Sequence, residues 1–239
     1  MPRTLNLVAV LGMIVALHVL ARGESPAELL DRLAQKRAAL RTVYHSTRTF
    51  DRDRKMVREI TVETWESRTD ELRGHRQFQK TTTTYIEDGH ASDAKSLRVN
   101  DGRTQWSESR IGDTLYVIKG PADGLPPADG ALKDLRQRLD RHRARIRDEE
   151  TVDGRTCVVL EVAGEEGSVR FKDAYWLDLE SGLVVQRSFS ASDGRQQDVR
   201  TTQVRINDSI AGAVFTYTPP EGATVVDTDS FPVKGAATP

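Results

Sequence analysis

Side chains able to do chemistry are present in this chain, but their spacing assembles none of the usual reactive centres. Its five histidines, His18, His45, His75, His90 and His142, include no pair that would set two imidazoles on one helix face or in one tight loop. Metal binding is therefore not indicated. The single cysteine, Cys157, sits inside the apolar run Cys157-Val158-Val159-Leu160 with no adjacent base, where a thiol behaves as a small hydrophobe. Neither a Gly-x-Ser-x-Gly nucleophile turn nor a phosphate-cradling glycine loop occurs. Asp178 and Glu180 flank a turn, where carboxylates act as solvated turn formers rather than as an acid–base pair. The residues thus predict no enzyme and no cofactor, and they direct attention to a binding surface.

The N-terminus bounds where that surface works. Arg3 is followed by the apolar run Leu7 to Leu20, with His18 inside it, and then by Ala21-Arg22-Gly23. This is the order of a secretory signal, with cleavage expected after Gly23 and a periplasmic mature protein. The run is short for a membrane span, and an uncleaved anchor is the alternative. Residues 24–239, about 216 in number, form one domain on this reading, with a loose tail after about residue 228. The net charge of −1 drops to about −3 once Arg3 and Arg22 leave, so no nucleic-acid partner is expected. One cysteine allows no internal disulfide, and the exported chain must rest on its hydrophobic core as a monomer.

Two helices and many short strands are expected to build that core. Ser25-Pro26-Ala27-Glu28 combines an N-cap serine, a proline at the first helical position and a glutamate three residues after the cap. Leu29, Leu30, Leu33 and Leu40 then recur at helical spacing to about Arg41. Strands follow at about 42–49, 56–66, 75–86, 97–100, 104–109 and 113–119, with Asp88-Gly89, Asp101-Gly102 and Ile111-Gly112-Asp113 as turns. The four threonines Thr81 to Thr84 favour strand geometry while burying little apolar area. After a proline-containing loop from Gly120 to Gly130, Leu132, Leu135, Leu139 and Ile146 predict a second helix over 131–147, with His142 on its apolar stripe. That helix carries an excess of about five positive charges, a surface for a membrane or a partner protein. Residues 151–227 read as a ladder of strands at 155–163, 168–179, 183–190 and 196–206. Their connections are short enough to force antiparallel pairing.

Four segments of this pattern resemble one family. Val99-Asn100-Asp101-Gly102-Arg103-Thr104-Gln105-Trp106 is similar to a strand, Asp-Gly turn and tryptophan of the LolA-like periplasmic lipoprotein carriers. So is the stretch from Val152-Asp153-Gly154 to Val162, and Tyr175-Trp176-Leu177-Asp178-Leu179-Glu180-Ser181-Gly182-Leu183 resembles the family's Trp-Ile-Asp hairpin. The end, from Asn207 to Phe215-Thr216-Tyr217-Thr218-Pro219-Pro220-Glu221-Gly222, is similar to its closing strand.

The resemblance implies an α+β fold, a curved antiparallel incomplete β-barrel with an N-terminal helix and a second helix covering the concave face. It implies a carrier that holds a lipid or an acylated lipoprotein. Trp106, Val158, Leu160, Val162, Tyr175, Leu177, Leu179, Leu135 and Leu139 are the candidates to line its apolar cavity, or else are simply core. Strands before residue 86 are more polar than acyl chains require. A signalling or interaction module of the same fold is therefore the alternative function.

Overall fold

The computed structural model describes residues 23–53, 56–68, 76–87, 90–111, 113–122 and 130–228. Expectations for the signal at 1–22, for Asp88-Gly89 and Gly112, for the loop at 123–129 and for the tail after 228 lie outside the described residues.

Helix α1, Pro26–Ala39, starts where its capping signals place it: the Ser25 Oγ accepts from the Glu28 N–H at 3.3 Å, and the Ser25 N–H donates to Glu28 Oε2 at 2.8 Å. Strands β1 (Thr42–Asp53), β2 (Met56–Ser67), β3 (Arg76–Glu87), β4 (His90–Asn100), β5 (Thr104–Ile111) and β6 (Thr114–Pro121) follow in a meander. Helix α2 is Gly130–Leu139, and β7 (Arg143–Val152), β8 (Arg155–Glu166), β9 (Val169–Asp178), β10 (Val184–Ala191) and β11 (Gln196–Ile206) form the second meander. A 3-10 turn at Gly212–Phe215 precedes β12, Thr224–Asp227.

All twelve described strands join one open sheet in the order β12-β6-β5-β4-β3-β2-β1-β11-β10-β9-β8-β7, antiparallel except where β12 lies parallel to β6. The expected fold class, a curved open antiparallel sheet with two helices, is the one found.

Three expectations need correction. The second helix stops at Leu139 instead of 147, because Arg143-Ala144-Arg145-Ile146-Arg147 alternates exposed arginines with half-buried apolar residues at a period of two. Paired to β8, this segment becomes a strand, and Asp153-Gly154, both at positive φ (48° and 79°), closes the hairpin as a two-residue turn. The basic helix 131–147 therefore does not exist as one surface, and His142 lies in the link between α2 and β7. Second, β4 runs back to His90, seven residues before the expected start at 97, because its exposed stretch His90-Ala-Ser-Asp-Ala-Lys-Ser96 has no apolar alternation to betray it. Third, residues 216–222 are not a closing strand; β12 begins only at Thr224, after the prolines that lack the donors a strand ladder needs.

Residues paired across neighbouring strands share a face. On one face of β7 to β10, Val158, Leu160, Val162, Phe171, Tyr175 and Leu177 pack against Leu29, Leu30 and Leu33 of α1 and Leu132 and Leu135 of α2. A second cluster unites Leu40, Val43, Val152, Cys157, Leu183 and Val185. Gly182, at φ 69°, lets α1 approach, since a Cβ there would run into the Leu33 carbonyl oxygen. The opposite face carries the aromatic row Tyr44, Trp65 and Phe78, with ring centroids 4.7 and 5.0 Å apart. Val99 and Trp106 continue that row by register. The segment after β11 lies over this face: Tyr217 sits 5.5 Å from the Trp106 ring and donates to Glu108 at 2.5 Å.

Candidate functional site

Seven of the nine expected lining residues come together. Val158, Leu160, Val162, Tyr175, Leu177, Leu179 and Leu135 belong to the cluster between sheet and helices, and Leu139 packs against it half-buried. None of the seven is more than 7% exposed, because the two helices, Leu135 of α2 among their residues, pack onto the sheet side chains. Trp106 is elsewhere, on the opposite face, between Tyr217 and the Lys119 ammonium.

Polar contacts fasten each helix over this cluster. From the last turn of α1, Arg37 donates Nη2–H to Glu66 of β2 at 2.7 Å, and Lys36 donates to the Leu179 carbonyl at 2.5 Å. Arg37 is 4% exposed, and its Nη1 has no partner among the described residues. A buried unpaired donor costs about 1–3 kcal/mol, so the closed α1 contact is not fully satisfied. Arg138, near the end of α2, donates to Asp173 of β9 at 2.6 Å and also to the Tyr175 hydroxyl.

Asp173 is the hub of a longer network. Its fully buried carboxylate accepts from Arg138, from Arg187 at 2.9 and 2.8 Å, and from the Tyr175 hydroxyl at 2.6 Å. Arg187 passes a hydrogen bond to Gln197 at 2.6 Å, Gln197 donates to Asp51 at 2.6 Å, and Asp51 accepts from Arg58. One polar line thus runs from α2 across β9, β10, β11 and β1 to β2. A cavity of about 450 Å³ opens along it, lined by Asp51, Arg58, Arg187 and Gln197 with Met56 and Phe189.

The electrostatics fix the protonation states. Burial, then the hydrogen bond to Asp173, push the Tyr175 phenol well above its usual value, so it remains a donor. Burial alone would lower the Arg187 pKa, but Asp173 and Tyr175 together outweigh it, and the guanidinium stays charged. Arg58 is raised first by its hydrogen bond to Asp51. Away from this line, burial and then Asp178 push the Cys157 thiol up to about 12, leaving it protonated and inert. The aliphatic side chains beneath the helices are closely packed, and along the polar line Arg138 and Arg187 are paired with Asp173 and Arg58 with Asp51. Among the described residues no cluster of three or more potential metal ligands forms, and no helix is long and apolar enough to cross a membrane.

The network was missed in the sequence, though a signal exists. Asp173 stands in phase with Phe171, Tyr175 and Leu177, and Arg187 in phase with Phe189. An acid on a strand's apolar face must find a buried partner.

No protein family's sequence profile matches the chain, and no curated protein matches it. Solved structures do. The chain is similar to LprF from Mycobacterium bovis, at 13% identity and a TM-score of 0.43, over 82% of this chain and 96% of that one. It is similar to MucB in complex with MucA(peri), at 20% identity and a TM-score of 0.48, over 84% of this chain and 62% of that one. Similarity also extends to a LolA superfamily protein from Nitrosomonas europaea, at 12% identity and a TM-score of 0.28, over 79% of this chain and 96% of that one.

Proposed function

We propose that this chain is an exported, non-catalytic binding protein that holds an apolar ligand, an acyl chain or a lipoprotein anchor, between its two helices and the face of β7 to β10. One observation carries this reading. An aliphatic surface is sealed by two short helices whose polar fastenings include Arg37 to Glu66, Lys36 to the Leu179 carbonyl and Arg68 to the Arg37 carbonyl for α1, and Arg138 to the Asp173–Tyr175 pair for α2. Undoing these contacts would clear Val158, Leu160, Val162, Leu177 and Leu135 for a ligand without breaking a strand pairing. The ligand's apolar area would then replace that of the helices, at roughly 25 cal/mol per Å². The cavity at Arg58 and Arg187 would receive the polar head. A carrier for lipid or acylated lipoprotein in the periplasm, delivered by the signal at 1–23, fits these features and the resemblance of the sequence.

Native mass spectrometry of the protein purified from its own envelope tests the reading. A co-purifying lipid is the expected result, with its occupancy raised in Arg138→Ala, whose α2 is less firmly held. Protein that emerges free of lipid but with a stable protein partner would instead favour an interaction module of the same fold.

A further inference from the structure

At one edge of the sheet, β7 pairs only with β8, so the backbone N–H and C=O groups on its outer side have no strand partner among the described residues. This edge is long and divided. Its first half carries Arg143, Arg145 and Arg147, and the register shift between Ile146 and Glu149 ends it. Its second half carries Asp148, Glu149 and Glu150.

Beside the first half lies a groove of about 880 Å³, with Arg141, Arg143, Arg170, Lys172, His142 and Phe171 among its lining residues. None of those four cations forms an ion pair among the described residues, and Glu165 is the one carboxylate lining the groove. Arg145 and Arg147 share Glu161, at 2.6 and 3.0 Å, which leaves the strand half with net positive charge.

We propose that the edge of β7 from Arg143 to Arg147, with the adjoining groove, takes up an acidic extended segment of a partner protein as an added strand. Backbone groups supply the pairing and the arginines select the sequence. A second copy of this edge could bring only Asp148 to Glu150, beyond the bulge, against its arginines, and would leave the cations of the groove unmatched. A membrane surface would use the charge but not the open backbone, whereas an acidic strand uses both. Asp148 to Glu150 and the bulge set where the added strand must stop. The proposal is independent of what lies beneath the helices.

The test uses the full chain and a fluorescently labelled synthetic peptide alternating glutamate and threonine, followed by anisotropy at low salt. Binding is expected, and its lysine–threonine counterpart should not bind. Charge reversal in Arg143→Glu with Lys172→Glu should weaken binding at least about tenfold while leaving the melting temperature within a few degrees. Two further peptides, N-methylated on one or the other set of alternate amides, separate pairing from charge on the unaltered protein. One register should lose about tenfold or more and the other little, since only alternate amides face the edge. Equal binding of both methylated peptides and the parent would overturn the proposal. So would absence of peptide binding beside capture by phosphatidylglycerol vesicles.

Discussion

The half-sheet β7 to β10 and the half-sheet β1 to β6 belong to one ladder, yet they are held in opposite ways. The first buries most of its aliphatic side chains on the face under two helices, with Cys157 and Val159 buried on the other, and anchors those helices with buried charge. The second spreads its burial over both faces. In β2 every side chain except those of Met56 and Thr64 is half-buried, whichever way it points, and the cover is an aromatic row with a C-terminal strap. Stability in the first half therefore rests on a few sites, and in the second on many small ones. In the binding protein proposed here, the cover to be released is the pair of helices over β7 to β10, while β1 to β6, strapped on its other face, stays as the scaffold.

The largest expected break in this contrast is Leu160→Ala. Leu160 is fully buried between sheet and helices, and the lost packing should cost about 3 kcal/mol in urea unfolding, whereas Ile60→Ala in β2 should cost about 1 kcal/mol. Equal losses would mean that the halves do not differ as described. Next in size, Asp173→Ala strands two guanidiniums and a phenol. Because Arg138 and Arg187 still reach water, the cost should be about 2–3 kcal/mol, below that of a fully dry pair. Tryptic cleavage near α2 should rise with it, and an unchanged cleavage pattern would show that Asp173 does not hold the helix. In the strapped half, Tyr217→Phe removes one hydrogen bond to Glu108 and should cost about 1 kcal/mol, read as a small drop in melting temperature.

The smallest effect is a pH dependence where the halves meet. Burial, the largest influence, holds the His45 pKa below the ordinary 6.5, with Arg37 adding to it and Glu66 opposing it. The unfolded chain therefore takes up a proton that the native form resists, and stability falls as pH drops below about 6.5. Glu66 acts at lower pH. Burial tends to raise its pKa, but Arg37 and Arg68 bring it below the usual 4.5, so its contribution is present above about that value and is lost as pH falls further. Melting curves of His45→Gln should be flatter than those of the parent from about pH 7 to about pH 5 and should converge on the same slope below about pH 4. A parallel pair of curves across the upper window would remove His45 from the account.

The same inequality governed what could be read in the chain. Strands β8 to β11 were legible within a few residues because Val158, Leu160 and Val162, or Tyr175 and Leu177, repeat on one buried face. In β4 the exposed first half left no such trace, and only pairing with β3 reveals it. At the candidate site the aliphatic members were legible as apolar periodicity. Asp173, Arg187, Gln197 and Asp51 were not, since the partners that join them lie 10, 14 and 146 residues apart.

By itself the sequence determined what is local. The Ser25–Glu28 cap, the Asp153-Gly154 turn and the period-two faces of β8 and β9 depend on neighbours a few residues away, and backbone sterics answer to those alone. The tertiary structure decided which charge meets which, that α2 gives way to a strand after Leu139, that β12 runs parallel to β6, and that β7 stands at the edge of the described strands. Those outcomes depend on pairing across long stretches of chain. There the gain comes from burying distant surfaces together and from removing charges from water only in company, which no short window of residues encodes.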